Sequence, residues 1–97
     1  MRFHAVAAII VVLLALWLRI DVAGWLWLSA AIALVFMAEL INTAVERAVE
    51  LAAAGLHPLA KIAKDAAAGA VLVAAIFAAI AGLAVLGPPL WRVLAGA

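Results

Sequence analysis

The sequence predicts an all-α membrane protein of three transmembrane helices that associates with copies of itself, and three observations predict it. Apolar residues make up 74% of the chain, against roughly 45–50% in a soluble domain, so lipid is the solvent for most of it. They are gathered into three runs, Phe3 to Leu18, Trp25 to Met37 continuing past Glu39 to Val45, and Ala66 to Leu86, each near the ~20 residues needed to cross a bilayer. Finally, 97 residues form one domain, residues 1–97, too small to enclose a private core. Membrane helices have no hydrophobic drive to pack on one another, so self-association is expected.

The first helix, about residues 3–20, is short and crosses only with Trp17 and Arg19 at the interface. No small-residue cleavage site follows Leu18, so the run is not read as a signal peptide. A tight connection, Arg19 to Gly24, carries Asp21 as a candidate N-cap for the second helix. That helix, about 24–54, runs on through Glu46, Arg47 and Glu50 until Gly55 supplies a stop. Pro58 suits the first turn of the third helix, about 58–87, which ends near Gly87-Pro88-Pro89 and leaves a short interfacial tail. This last helix is rich in Ala and Gly, including Gly69 and Gly82, which lets backbones approach closely.

Charge placement gives an orientation. The second connection and its flanks hold Arg47, Lys61 and Lys64, against Arg19 alone in the first connection and Arg92 alone in the tail. Cytoplasmic segments carry the excess of Lys and Arg, so the N-terminus and the 46–64 segment are expected inside and the C-terminus outside. Trp17, Trp25, Trp27 and Trp91 then all fall at the outer interface, where amphipathic rings prefer to sit. The net charge of +1 offers no basic patch for nucleic acid. With no cysteine, a metal would have to bind oxygen or imidazole.

Seven of the eleven charged side chains lie between Glu39 and Asp65. A charge at bilayer depth costs roughly 2.5–3.5 kcal/mol on insertion scales, so Glu39, deep in an apolar run, marks a functional site. At 100° per residue, Glu39, Asn42, Thr43, Glu46 and Glu50 project within an arc of about 100°. Lys61, Lys64 and Asp65 form a second polar edge at helical spacing on the third helix, placed to face the first. Carboxylate and amide oxygens are hard ligands for Mg²⁺ beside nucleotide phosphates, lysine is a point-charge partner for phosphate, and a partly buried glutamate can act as a base. These are parts of a phosphoryl-transfer site. Residue types alone leave the reaction open, and the absence of either glycine-rich phosphate-loop pattern excludes P-loop and protein-kinase chemistry.

The block Glu39-Leu40-Ile41-Asn42-Thr43-Ala44-Val45-Glu46, followed by His57-Pro58-Leu59-Ala60-Lys61-Ile62-Ala63-Lys64-Asp65-Ala66-Ala67-Ala68-Gly69-Ala70-Val71-Leu72, resembles the signature of the prokaryotic diacylglycerol kinase family. These are small trimeric membrane enzymes that include undecaprenol kinases. The resemblance implies a homotrimer in the bacterial plasma membrane that uses ATP and Mg²⁺ to phosphorylate a lipid alcohol, diacylglycerol or undecaprenol, at the cytoplasmic face. Carried over by position, it implies Glu39 as catalytic base with Asn42 helping to orient it, and Glu46 as metal ligand. His57, Lys64 and Asp65 would contact the nucleotide. The 57–65 block looks more like that of the undecaprenol-type members. Family members begin with an amphipathic surface helix carrying a further acidic metal ligand, whereas this chain starts at Met1-Arg2-Phe3-His4, where that helix would already have ended. The Ala52-Ala53-Ala54-Gly55-Leu56 stretch also departs from the family's more polar loop.

Other readings of the same residues are a small transporter using Glu39 as its ionisable group and a catalytically silent reduced homologue. Asn42 and Thr43 could serve as interhelical hydrogen-bonding groups. Arg47 reads best as part of a solvated helix end, Lys61 as a positive-inside anchor, and Arg2 and His4 as markers of the cytoplasmic interface.

Overall fold

The computed structural model describes residues 2–53 and 58–96. Three helices account for nearly all of them, α1 (Arg2–Leu18), α2 (Val22–Ala53) and α3 (Pro58–Gly96), with no strand among the described residues. Gly55 and His57 lie outside the described residues. At about 1.5 Å per residue, α3 alone accounts for the 58 Å long axis of a body 20 × 17 Å across.

The turn between α1 and α2 shows how tightly the sequence sets the register. Leu16 O accepts from Arg19 N and Ala15 O from Ile20 N, the paired bonds of a Schellman C-cap, with Arg19 in the left-handed conformation at φ 55. Ile20 packs against the cluster of Ala15, Leu28 and Leu86, in keeping with the apolar contact that accompanies this motif. Asp21 then caps α2: its Oδ1 accepts from Gly24 N at 2.8 Å and its carbonyl from Trp25 N. Gly24 fits closely here, since a Cβ would stand 3.1 Å from both Asp21 Oδ1 and Val85 Cγ1.

The helices run up, down and up. Gly24 abuts Val85 while Val35 and Ala38 pack against Ala74, so α2 and α3 are antiparallel. Ala15 against Leu28 and His4 against Glu39 make α1 antiparallel to α2. Buried positions on α3 recur every seven residues, Ala60, Ala67, Ala74 and Ala81, as buried positions on α2 recur at Gly24, Leu28, Ala31, Val35 and Ala38, with Ala74 against Val35 and Ala38. Such a repeat of 3.5 is the spacing of left-handed supercoiled packing. The seam uses alanines at this register, while a Cβ at Gly69 or Gly82 would meet nothing within 4 Å.

Most large apolar side chains point outward, among them Ile9, Leu13, Leu72, Ile76 and Leu83. An apolar surface this continuous fits lipid contact. Two helices, α2 and α3, are long and apolar enough to cross a membrane. The 17 residues of α1 rise only about 26 Å, short of the ~30 Å hydrocarbon core.

One sequence expectation is corrected. Instead of stopping at Gly87, α3 continues through Pro88 and Pro89 to Gly96. Each proline removes one hydrogen bond but holds φ at a helical value, and the residues that follow, Leu90 to Leu94, are compatible with helix. Membrane helices tolerate proline because neighbouring groups take up the freed carbonyls.

Candidate functional site at the charged end of the bundle

Antiparallel packing sorts the polar residues to the two ends. Trp17, Trp25, Trp27 and Trp91 gather at the end formed by the first turn and the last part of α3. Glu39 to Asp65 occupy the other. There α2 extends beyond Glu39 by about 21 Å to Ala53, so the α2–α3 hairpin projects past the start of α1.

At the base of this projection, His4 Nε2 lies 3.0 Å from Glu39 Oε1, the two side chains 23% and 20% exposed. This contact joins α1 to α2. Phe3 meets the His4 ring edge-on, with centroids 5.5 Å apart. Both residues border an apolar cleft of about 240 Å³ between the three helices, walled by Val11, Leu28, Phe36 and Ala78.

One turn beyond Glu39, Asn42 Nδ2 donates to Glu46 Oε1 at 3.0 Å. Asn42 Oδ1 is buried with no hydrogen-bond partner, a costly state for an amide oxygen. Further out, Arg47 Nη1 reaches both carboxylate oxygens of Glu50 at 2.7 Å in an exposed pair, as expected of a solvated helix end. Thr43 is exposed.

The polar edge of α3 is arranged differently from the sequence expectation. Lys61, Lys64 and Asp65 are all exposed, and among the described residues none bonds to the Glu39–Glu46 face through its side chain. The alanine seam occupies the α2-facing side instead. Asp65 pairs with Lys61, four residues away, at 2.9 Å. Lys64 keeps a free ammonium among the described residues.

Among the described residues, no three histidine or carboxylate side chains converge as a metal cage. What α2 offers is one carboxylate, Glu46, beside one unpaired amide oxygen, on Asn42. Both are hard oxygen donors, and Mg²⁺ is commonly held by one or two carboxylates with water and substrate phosphates filling its octahedron. The donor set therefore fits Mg²⁺ carried in with a nucleotide.

His4 was not among the site residues expected from sequence. Its signal was available: it is a polar residue within the first apolar run, and the tight turn places it about 21 Å along α1 where Glu39 lies about 26 Å along α2.

The profile of the family described as Prokaryotic diacylglycerol kinase matches residues 1–86. The chain belongs to that family. It is 43% identical over 89 residues to the undecaprenol kinase of Bacillus subtilis (strain 168), covering 92% of this chain and 72% of that one. The diacylglycerol kinase of Synechocystis sp. (strain ATCC 27184 / PCC 6803 / Kazusa) is 44% identical over 90 residues, 92% of this chain and 51% of the relative. That of Escherichia coli (strain K12) is 35% identical over 79 residues, 81% and 65% of the two chains. The chain thus spans between half and three quarters of the length of these relatives. No solved structure gives a significant match. Family membership assigns lipid-kinase chemistry and a membrane location, and the exposed apolar surface of α2 and α3 agrees with that location.

Proposed function

We propose that this chain transfers the γ-phosphoryl group of ATP to the hydroxyl of a membrane lipid alcohol, diacylglycerol or undecaprenol, with Glu39 as general base. The observation that carries the reading is the position of Glu39. It sits where α1 begins and the apolar spans of the hairpin give way to charge, close to an apolar cleft that suits a lipid tail. In the transfer, Glu39 takes the hydroxyl proton as the lipid oxygen bonds to the γ-phosphorus, and the bond to the β-phosphate bridging oxygen breaks to release ADP.

Glu46 would hold the metal, with the Asn42 amide steadying it and contributing its free oxygen. Bound there, Mg²⁺ would neutralise charge on the phosphate oxygens. Lys64, exposed and unpaired, is available to a phosphate, and Asp65 and His57 are assigned to the nucleotide by their place in the family's motif. Residues 1–97 act as one domain, and three copies form the working bundle. Its charged end faces the bacterial cytoplasm, where ATP is available. The 43% likeness to an undecaprenol kinase makes the polyprenol the first lipid to try.

Phosphorylation of each lipid by the chain in bilayers, with radiolabelled ATP and Mg²⁺, tests the reading. Glu39→Gln keeps the side chain's shape but removes the base, and should lower turnover by about 10²–10⁴-fold. Wild-type turnover in that variant would overturn the reading.

A further inference from the structure

We propose that His4 is the positioning residue for Glu39, holding one carboxylate oxygen so that the other is presented to the lipid hydroxyl. The inference rests on Glu39 being the base and adds a residue to its machinery. A carboxylate serving as base accepts, so in this role His4 takes the Nε2–H tautomer and donates to Oε1 across the 3.0 Å contact. Among the described residues Oε2 makes no hydrogen bond, leaving its lone pairs for a substrate proton.

A glutamate on a lone helix face swings through several rotamers, and a base must be within about 2.6–3.2 Å of the proton it removes. Nothing on α2 itself restrains Glu39: the Asn42 amide is spent on Glu46, and Thr43 is exposed. The restraint comes from another helix. The Phe3 ring lies edge-on against one side of His4, and α1 is anchored at its far end by the Ala15–Leu28–Leu86 cluster and the capped turn. The rigid length of α1 thus carries a hydrogen-bond donor to the base. His4 also lines the apolar cleft, so the donor lies at the border between the lipid-sized space and the carboxylate.

The test uses the full chain in bilayers with 1,2-dioleoylglycerol and undecaprenol as separate substrates. His4→Ala should lower kcat about 10- to 100-fold at unchanged KM for MgATP. His4→Gln, whose amide nitrogen reaches about as far as Nε2, should recover most of that loss. His4→Leu fills the ring's volume without a donor and should behave like the alanine variant. In a Glu39→Gln background, His4→Ala should cause no further fall in the residual rate, because the group it positions has gone. Wild-type kcat in His4→Ala, no recovery in His4→Gln, or an equal fall in the Glu39→Gln background would each overturn the proposal, the last by showing that His4 merely braces the fold. If Glu39→Gln alone turns over normally, the base assignment fails and this inference falls with it; an inactive Glu39→Gln beside a fully active His4→Ala removes the inference alone.

Discussion

Asn42 and Glu46 stand one helical turn apart on α2 and are joined, the Asn42 amide nitrogen donating to Glu46 Oε1 at 3.0 Å. The bond fixes the carboxylate and leaves the amide oxygen buried and unpaired. Under the proposed metal role of Glu46, that oxygen is the second donor α2 can offer beside the carboxylate.

Asn42→Ala should therefore raise the Mg²⁺ concentration for half-maximal turnover by about 10- to 100-fold, the usual cost of losing a group that orients or supplements a metal ligand. Glu46→Gln should raise it at least as much. Thr43→Ala, a change at the exposed neighbouring position, is the control and should leave the Mg²⁺ dependence unchanged. A Mg²⁺ titration at fixed ATP reads all three, and unaltered dependence in Asn42→Ala would separate the amide from the metal.

The first turn makes opposite predictions at two positions. Asp21→Ala removes the cap on Gly24 N and should destabilise the protein by about 0.5–2 kcal/mol. Arg19→Gly relieves a left-handed residue that carries a Cβ and should stabilise it by about 0.5–1 kcal/mol, the strain removed outweighing the freedom returned to the unfolded chain. Reversible unfolding in mild detergent measures both.

These two residues also show what the sequence could carry. Asp21 was legible as a cap because capping chemistry is local, a short side chain reaching a backbone N–H three residues on. Arg19 was not, because the left-handed position after a helix usually falls to glycine. The three helices followed from long apolar runs, yet the end of α3 did not: Pro88 and Pro89 weigh as breakers in water, and the membrane setting overrides them. At the site, Glu39 stood out by its depth, and Asn42 and Glu46 by sharing its face. His4 depended on tertiary register between helices, which no single-helix periodicity contains. Lys64 and Asp65 adjoin in sequence but point to different sides of α3. Successive helical residues point about 100° apart, so Asp65 instead met Lys61 one turn back.

The orientation can be read on a chain that has no cysteine. A cysteine at Leu51, exposed near the end of α2, should be shielded from an impermeant thiol reagent in intact cells and should react once the membrane is opened. One at Ala95, exposed on α3 beyond Trp91, should react without permeabilisation. The reverse pattern would invert the topology inferred from Arg47, Lys61 and Lys64 and leave the charged end where ATP is scarce.

The small residues of α3 fall on two faces, so the proposed contact between copies can be tested apart from the packing within one chain. Ala74 is buried against Val35 and Ala38, so Ala74→Leu should force α2 and α3 apart and destabilise each chain by about 1–3 kcal/mol. At Gly69 a side chain meets nothing within 4 Å in the single chain, and Gly69→Leu should leave the hairpin itself intact, with helicity unchanged and α2–α3 cross-links still forming between engineered cysteines. Close approach at small residues is how membrane helices of different chains pack. If Gly69 lies at such a contact, its leucine variant should shift the cross-linked species in bilayers from trimer toward monomer and reduce lipid phosphorylation in step. An unaltered trimer in Gly69→Leu would put the contact between copies on another face, and a monomeric wild-type chain that still phosphorylates lipid would show that one copy holds a complete site.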